Sequence, residues 1–226
     1  MFDRIAKRYD LLNRLISLGR DEAWRKKLID SLLPSGAADD DEILDVATGT
    51  ADVALAIARR FKHANIVGLD PSAKMLEIGQ QKVDTSEVAE RITLVLGDAQ
   101  QLPFEDERFA ASCISFGIRN VPDRTLGLAE MSRVTRRGGV VAVLELCQPR
   151  KGLLSSLARF YVHGVMPRLA RLIAKDGDSY EYLAQSIAAF PPPEEFSTML
   201  AGVGLTPRAP IALNLGTVYL YIGRKN

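Results

Sequence analysis

The sequence predicts an α/β protein with a doubly wound, mostly parallel sheet of seven strands. Between residues 43 and 144, short apolar segments with the composition of buried strands alternate with segments of helical periodicity. This alternation is typical of right-handed βαβ units, which build a parallel sheet covered by helices on both faces. Two further alternating segments close the chain and predict an antiparallel end to the same sheet.

Each element follows from its periodicity and from the residues that interrupt it. Residues 1–33 carry apolar side chains at helical spacing in two runs, separated at Ser17 to Gly19. We expect strands at 43–46, 65–69, 92–96, 110–115, 140–144, 206–213 and 217–223. We expect further helices at 52–61, 73–83 (capped by Ser72), 124–134, 179–189 and 194–201. Asn214 to Gly216 predicts a hairpin-like turn between the last two strands.

We expect these elements to form one domain with four parts. A chain of 226 residues is long enough to bury a full core. Polar side chains among the apolar ones near the amino terminus would suit a lid over a pocket, with a simple packing arm as the alternative. The parts are a helical lid at 1–36, a ligand-binding core at 42–149, a helical insertion at 150–192, and a closing helix with a strand pair at 193–226.

Composition and charge describe an ordinary globular protein. Basic and acidic side chains nearly cancel at a formal charge of +1, so nothing indicates a nucleic-acid surface. Cys113 and Cys147 stand in apolar runs without metal-ligand spacing, and we expect buried free thiols and no metal site. The chain shows neither the apolar stretch of a signal peptide nor a run long enough to span a membrane. We therefore expect a cytoplasmic protein.

The segment Ile43 to Asp52 predicts a buried strand that turns sharply into a helix through Gly49 and Thr50. A glycine here would also serve a tight turn that binds nothing, and that alternative stays open. Polar side chains at the carboxyl ends of the strands should meet at one edge of the sheet. They are Asp45, Asp70, Asp98, Ser115 and Glu145.

The spacing of these groups indicates the kind of ligand. Asp70 follows Asp45 by 25 positions, close to the spacing at which an acid binds a ribose diol. The first loop lacks the dinucleotide pattern GxGxxG and carries no cation for a phosphate. An uncharged or cationic adenosine is therefore favoured over a diphosphate.

The stretches Asp45 to Asp52, Gly68 to Ser72, and Gly97 to Ala99 before Leu102 to Phe104 together resemble those of class I S-adenosylmethionine-dependent methyltransferases, which have a Rossmann-like fold. Four more stretches carry a closer resemblance: Met1 to Asp3 with Tyr9 to Asn13 and Ser17 to Trp24; Ser115 to Asn120; Arg133 and Val134 with Gly138, Gly139 and Glu145; and Asp178 to Ile187. These are similar to the ubiquinone/menaquinone biosynthesis C-methyltransferases in particular. The resemblance covers nearly the whole chain. Gly-Thr-Ala-Asp in the first loop favours members that serve menaquinone alone.

The resemblance implies a set of residues that contact S-adenosylmethionine. They are Gly49, Thr50, Asp70, Asp98, Ala99 and Ser115. Asp70 could accept hydrogen bonds from both ribose hydroxyls, and Asp98 could accept one from the adenine amino group. Asp45 could attract the ammonium of the methionine moiety. For Asp98, a role as a turn former at the end of its strand is the alternative.

The resemblance also implies a prenylated quinol as the methyl acceptor. Arg119 would stabilise an ionised hydroxyl of that acceptor, and Asn120 would orient its ring. A salt bridge of Arg119 within the fold is the alternative. Tyr9, Asn13 and Tyr180 are expected to line the acceptor pocket, with ordinary packing as the alternative.

The leading functional prediction is C-methylation of a prenylated quinol in menaquinone or ubiquinone biosynthesis. Residues 150–175 carry apolar and basic side chains that would suit transient contact with the inner face of a membrane, or a homodimer contact. One alternative is a methyltransferase for another lipidic or aromatic small molecule. A second alternative is a nucleotide-binding module without methyltransferase activity.

Overall fold

The computed structural model describes residues 17, 19–33, 38, 40–148 and 177–226, and it describes the backbone alone at 177–181. The predictions made for residues 1–16 and 149–176 lie outside the described residues. They include the first helix of the lid, the acceptor-pocket residues Tyr9 and Asn13, and most of the helical insertion.

One sheet organises the described part of the chain. Its strands are β1 Glu42–Val46, β2 Asn65–Asp70, β3 Ile92–Leu96, β4 Phe109–Ser115, β5 Thr135–Leu146, β6 Leu205–Pro207, β7 Ile211–Leu213 and β8 Val218–Lys225. Across the sheet the order is β3-β2-β1-β4-β5-β8-β6, and β7 also pairs with β8. The first five strands are parallel, and β8 is antiparallel to β5. This order confirms the predicted mostly parallel α/β fold.

Helices cover both faces of the sheet, as the prediction of a doubly wound fold requires. They are α1 Asp21–Leu32, α2 Asp52–Arg60, α3 Ala73–Asp84, α4 Arg124–Val134, α5 Gly177–Ala188 and α6 Pro193–Gly202. Successive residues of a strand point to opposite faces. Ile43 accordingly joins the core beneath α1 and α2, whereas Leu44 joins a second core beneath α4 and α6. Among these helices, none is long and apolar enough to cross a bilayer.

The predicted strand at 206–213 is wrong as a single element, because the chain forms two short strands there. Leu205 of β6 pairs with Lys225, and Ile211 of β7 pairs with Leu220. Pro207 ends β6 and Pro210 comes directly before β7, and their nitrogens carry no hydrogen to donate to a neighbouring strand. Both pieces occupy one edge position beside β8, so the sheet remains seven positions wide.

The strand boundaries differ most at β5. This strand runs from Thr135 to Leu146, beyond both ends of the predicted segment 140–144. Its pairing with β4 shifts register between Phe109 and Ala111, where the chain passes Gly138 at a φ of 75°. Glycine adopts this left-handed conformation without the penalty that a side chain brings. The longer strand places Glu145 inside the sheet rather than just past its end.

Candidate active site

The loop between β1 and α2 has an unusual backbone. Ala47, Gly49 and Ala51 have φ values of 54°, 57° and 64°, all in the left-handed region. Two of the three are alanines, for which this conformation costs about 1–2 kcal/mol each. A Cβ atom at Gly49 would lie 3.3 Å from Cε of Met75. Strain of this kind persists where the surrounding structure imposes it, and it concentrates at ligand sites.

Asp45 lies beneath this loop and is 1% exposed. Its carboxylate accepts a hydrogen bond of 2.6 Å from Oγ1 of Thr48, and Sγ of Cys113 donates to it at 3.6 Å. Burial raises the pKa of Asp45 from 3.8 to about 7, although these two hydrogen bonds and the charge of Arg25 oppose the shift. Asp45 therefore changes its charge near neutral pH. Cys113 and Cys147 are buried free thiols, as predicted.

Asp70 is fixed against the same loop from the end of β2. Its Oδ2 accepts the backbone N–H of Gly49 at 2.9 Å, and its Oδ1 accepts that of Ser72 at 2.9 Å. Each carboxylate oxygen can accept a further hydrogen bond. The predicted proximity of the acid to the glycine loop is therefore present, and the side chain is held in one orientation.

Gly68 has no side chain and so leaves space for Thr48, which donates a hydrogen bond to Asp45. Replacing Gly68 gives a first prediction. A Cβ atom there would lie 2.9 Å from Oγ1 of Thr48 and 2.8 Å from Cδ2 of Leu94. We expect Gly68→Ala to lower the free energy of unfolding by about 1–3 kcal/mol, because Thr48 must move away from Asp45. Urea unfolding measures this loss. Gly202→Ala is the control, since nothing lies within 4 Å of a Cβ atom at Gly202. Equal midpoints for the two variants would contradict the prediction.

Two cavities adjoin at the loop. The larger, of about 310 Å³, is lined by Ala47, Gly49, Leu69, Asp70, Pro71, Met75, Asp98, Ala99, Gln100, Phe116, Gly117, Asn120, Val121 and Pro122. The smaller, of about 30 Å³, is lined by Arg25, Asp45, Ala47, Thr48, Gly49, Thr50, Asp52, Val53, Ser115 and Phe116. All seven residues predicted to bind the cofactor line one cavity or the other. The structure thus brings together strand ends that are up to 70 positions apart in sequence.

Two residues that line these cavities carry an unsatisfied polar atom. Oγ of Ser115 and Oδ1 of Asn120 are buried and make no hydrogen bond within the described part of the chain. A buried polar atom without a partner costs about 1–3 kcal/mol. Ser115 lines the smaller cavity and Asn120 the larger. Each cavity therefore has in its wall a residue whose buried polar atom is unsatisfied.

Asp98 lines the larger cavity and also forms a turn. Its Oδ1 accepts a hydrogen bond from the backbone N–H of Gln100 at 2.9 Å. Asp98 therefore has the turn-forming role that was the alternative to cofactor binding. The side-chain amide of Gln100 lies 3.1 Å from Oδ2 of the same carboxylate. The two roles are thus compatible in one side chain.

Arg119 lies behind the cavities and forms a buried salt bridge. Its Nη1 donates to Oε1 of Glu145 at 2.7 Å and also to the backbone oxygen of Phe116. Glu145 is fully buried, and its Oε2 accepts the backbone N–H of Arg119 at 3.2 Å. This is the alternative that the sequence kept open for Arg119. The pair holds the turn at Ile118–Asn120, which carries Asn120.

Tyr180, the third residue predicted for the acceptor pocket, lies in α5, and its side chain is outside the described part of the chain. Helix α5 packs against the turn that carries Asn120. Arg124 links the two, since its Nη2 donates to the backbone oxygen of Arg119 and its guanidinium lies 5.6 Å from the ring of Phe190. The carboxyl end of α5 is therefore close to the site.

Two basic residues near the loop were missed by the sequence reasoning. Nζ of Lys82 donates to Oγ1 of Thr50 at 2.9 Å and to Asp52 at 2.7 Å. Nη1 of Arg25 donates to Asp52 at 3.2 Å. Charged residues on amphipathic helices usually face solvent, so no local pattern marked these two. Within the described residues, no group of three or more His, Cys, Asp or Glu side chains could hold a metal ion.

Comparison with solved structures places the fold. A geranyl diphosphate methyltransferase in complex with GPP and sinefungin superposes with a TM-score of 0.68 at 17% identity, covering 91% of this chain and 78% of that one. An S-adenosylmethionine-dependent methyltransferase of Thermotoga maritima gives a TM-score of 0.65 at 16% identity, covering 100% and 98%. At this level of identity the likeness shows the fold alone, which is that of class I methyltransferases.

Comparison with known sequences identifies the family. The ubiquinone/menaquinone biosynthesis C-methyltransferase UbiE of Geotalea daltonii is 43% identical, covering 100% of this chain and 94% of that protein. The demethylmenaquinone methyltransferase of Bacteroides fragilis is 38% identical, covering 100% and 91%. The pattern of the ubiE/COQ5 methyltransferase family matches residues 1–225. A family match over nearly the whole chain, together with relatives of 38% and 43% identity along nearly their full length, shows that the chain belongs to the ubiE/COQ5 methyltransferase family.

Proposed function

We propose that the protein transfers a methyl group from S-adenosylmethionine to a ring carbon of a prenylated quinol, with demethylmenaquinol as the first candidate. The observation that carries the proposal is the pair of cavities that meet at Gly49, one beside Asp70 and the other beside Asp45. The names of the relatives from Geotalea daltonii and Bacteroides fragilis support the quinol as acceptor. A quinol of the ubiquinone pathway is the second candidate.

The residues present fit S-adenosylmethionine, which supplies an electrophilic methyl group when bound. Asp70 is fixed by two backbone N–H groups at the edge of the larger cavity, where its carboxylate would meet the ribose hydroxyls. Asp98 and Ala99 line the same cavity, where they would meet the adenine. The unpartnered Oγ of Ser115 lies in the smaller cavity, where the methionine moiety would enter beside Thr50.

The acceptor must present an electron-rich carbon in line with the methyl group. A quinol with an ionised hydroxyl provides such a carbon, whereas a quinone does not. Holding the two reactants in this geometry can itself supply much of the rate acceleration. We assign contact with the acceptor to Asn120, the role that the family resemblance implies; Asn120 lines the larger cavity beside Phe116 and Gly117, and its buried Oδ1 has no partner among the described residues. Arg119 does not line either cavity, but its positive charge would stabilise an ionised hydroxyl of the acceptor from outside. Its bond to Glu145 would hold the turn that carries Asn120.

A prenyl tail places the acceptor in a membrane, so transient contact with a membrane surface belongs to the same proposal. The predicted contact segment, residues 150–175, lies outside the described residues, as does the alternative of a homodimer contact there. Another lipidic or aromatic acceptor is the alternative for the methyltransferase itself. An acceptor assay separates these acceptors.

The test is a methylation assay with purified protein and S-adenosylmethionine. We expect chemically reduced demethylmenaquinol to gain one ring methyl group, detected by mass spectrometry, and the oxidised quinone to gain none. The benzoquinol acceptor is assayed beside it. Failure to methylate either quinol would overturn the proposed acceptor. Binding of NAD in place of S-adenosylmethionine, measured by calorimetry, would overturn the methyltransferase function itself.

Replacement of Asn120 tests the acceptor contact. We expect Asn120→Ala to lower turnover of the quinol by about 10–100-fold, because the ring loses its orientation. Affinity for S-adenosylhomocysteine should change by less than about threefold. Asn65→Ala, at the exposed start of β2, is the matched control and should leave both quantities unchanged. Turnover in Asn120→Ala that equals that of the control would count against the assignment.

A further inference from the structure

A single basic side chain lines the smaller cavity. Among the described residues that line it, Arg25 is the only cation, and it stands with the acids Asp45 and Asp52. Arg25 comes from α1, outside the sheet core that supplies the other lining residues. The cavity thus presents a guanidinium and carboxylates to the same small volume.

Arg25 is held in place but its donors are not used up. Its Nη1 donates to Asp52 at 3.2 Å, and its Nη2 lies 3.8 Å from Asp21, beyond hydrogen-bonding distance. The other carboxylate oxygen of Asp21, Oδ1, accepts the hydroxyl of Ser17 at 2.6 Å. The side chain of Arg25 is 15% exposed, and its buried Nε has no partner among the described residues. A guanidinium carries five N–H donors, so donors of Nη1 and Nη2 beyond the bond to Asp52 remain for a ligand.

Asp52 has a second cation of its own. Nζ of Lys82 lies 2.7 Å from Oδ1 of Asp52, while Arg25 binds the other oxygen, Oδ2. Asp52 therefore does not depend on Arg25 for a countercharge. The charge of Arg25 also reaches Asp45, whose pKa it lowers against the larger effect of burial. Arg25 and Asp45 thus line the same small cavity and interact electrostatically.

The methionine end of S-adenosylmethionine carries a carboxylate and an ammonium on one carbon. We propose that Arg25 binds this carboxylate, so that α1 closes the cofactor site, with Asp45 serving the ammonium. The proposal rests on the proposed function, since it concerns the same cofactor. Arginine suits the role, because its planar fork matches a carboxylate and its charge persists at every physiological pH. The contact would make cofactor selection depend on a helix outside the sheet core.

Calorimetric titration of the full chain, without an acceptor, tests this contact. The probes are S-adenosylmethionine and its decarboxylated analogue, which keeps both the sulfonium and an ammonium. The wild type should bind the carboxylated form about 10–100-fold more tightly, the effect of one charged hydrogen-bonding pair. Arg25→Gln should reduce this preference to within about threefold by weakening the carboxylated form alone. Arg25→Lys should be intermediate, because it keeps the charge and loses the fork.

Lys26→Gln is the matched control. Lys26 follows Arg25 on the same helix, but it is exposed and pairs with Asp30, so its loss should preserve the wild-type preference. Thermal melts show whether each variant is folded. If Arg25→Gln does not fold, the preference measured with Arg25→Lys decides the test. An equal loss for both probes, or an unchanged preference in folded Arg25 variants, would overturn the proposal. A wild type that binds neither probe would overturn the proposed function, and this inference with it.

Discussion

Arg119→Met is expected to lower the free energy of unfolding by about 3–5 kcal/mol, the cost of leaving one partner of a buried ion pair alone. Arg119 and Glu145 have side chains that are 7% and 0% exposed, and their charged atoms lie 2.7 Å apart. Without the guanidinium, the donors left to Glu145 among the described residues are two backbone N–H groups, from Arg119 and Leu146. Urea unfolding measures the loss, and the double variant Arg119→Met/Glu145→Gln should recover more than half of it.

The matched control is Arg59→Met. Arg59 also forms an ion pair, with Glu87 at 2.9 Å, but the two side chains are 53% and 68% exposed. Its loss should cost less than about 1 kcal/mol, because water screens exposed pairs. An Arg119→Met variant with wild-type stability and no turnover would contradict this prediction. That result would instead support a direct role of Arg119 at the acceptor.

Asp45→Asn should flatten the dependence of stability on pH and weaken cofactor binding. In the ligand-free protein the pKa of Asp45 is raised from 3.8 to about 7, so folding favours its protonated form. The stability gained from that proton is fully present below the unfolded value and is lost as the pH rises through about 7. The loss amounts to at most about 4 kcal/mol. The asparagine variant should therefore unfold at higher urea concentration than the wild type at about pH 8.

Cofactor binding should show the opposite dependence. The ionised form of Asp45 attracts an ammonium, so the affinity of the wild type should rise about tenfold or more as the pH passes through about 7. Asp45→Asn should lose both this rise and most of the affinity. Asp30→Asn is the control, because hydrogen bonding to Lys26 and Arg60 lowers the pKa of that exposed acid. A pH profile of binding shared by wild type and Asp45→Asn would refute the role of Asp45.

The sequence by itself determined the sheet core and much of the site. Buried parallel strands are short apolar runs, and their carboxyl ends must share one edge, so Asp45, Asp70 and Asp98 could be placed together from local pattern alone. The turn at Gly49 could be predicted for the same reason. The division of the predicted strand 206–213 into β6 and β7 could also have been predicted, because Pro207 and Pro210 lack the N–H groups that a continuous strand needs. The alternation of apolar and polar side chains across this segment favoured a single strand instead.

Only the tertiary structure decided which charges meet. Arg119 and Glu145 are 26 positions apart, and Arg25 and Asp52 are 27 apart, so no local periodicity links the partners. Burial also belongs to the folded state, since it raises the pKa of Asp45 and leaves Oδ1 of Asn120 without a partner among the described residues. Local sequence sets where strands and turns form, because those preferences act between neighbouring residues. Charge pairing and desolvation depend on packing between distant segments, and the chain shows them only when folded.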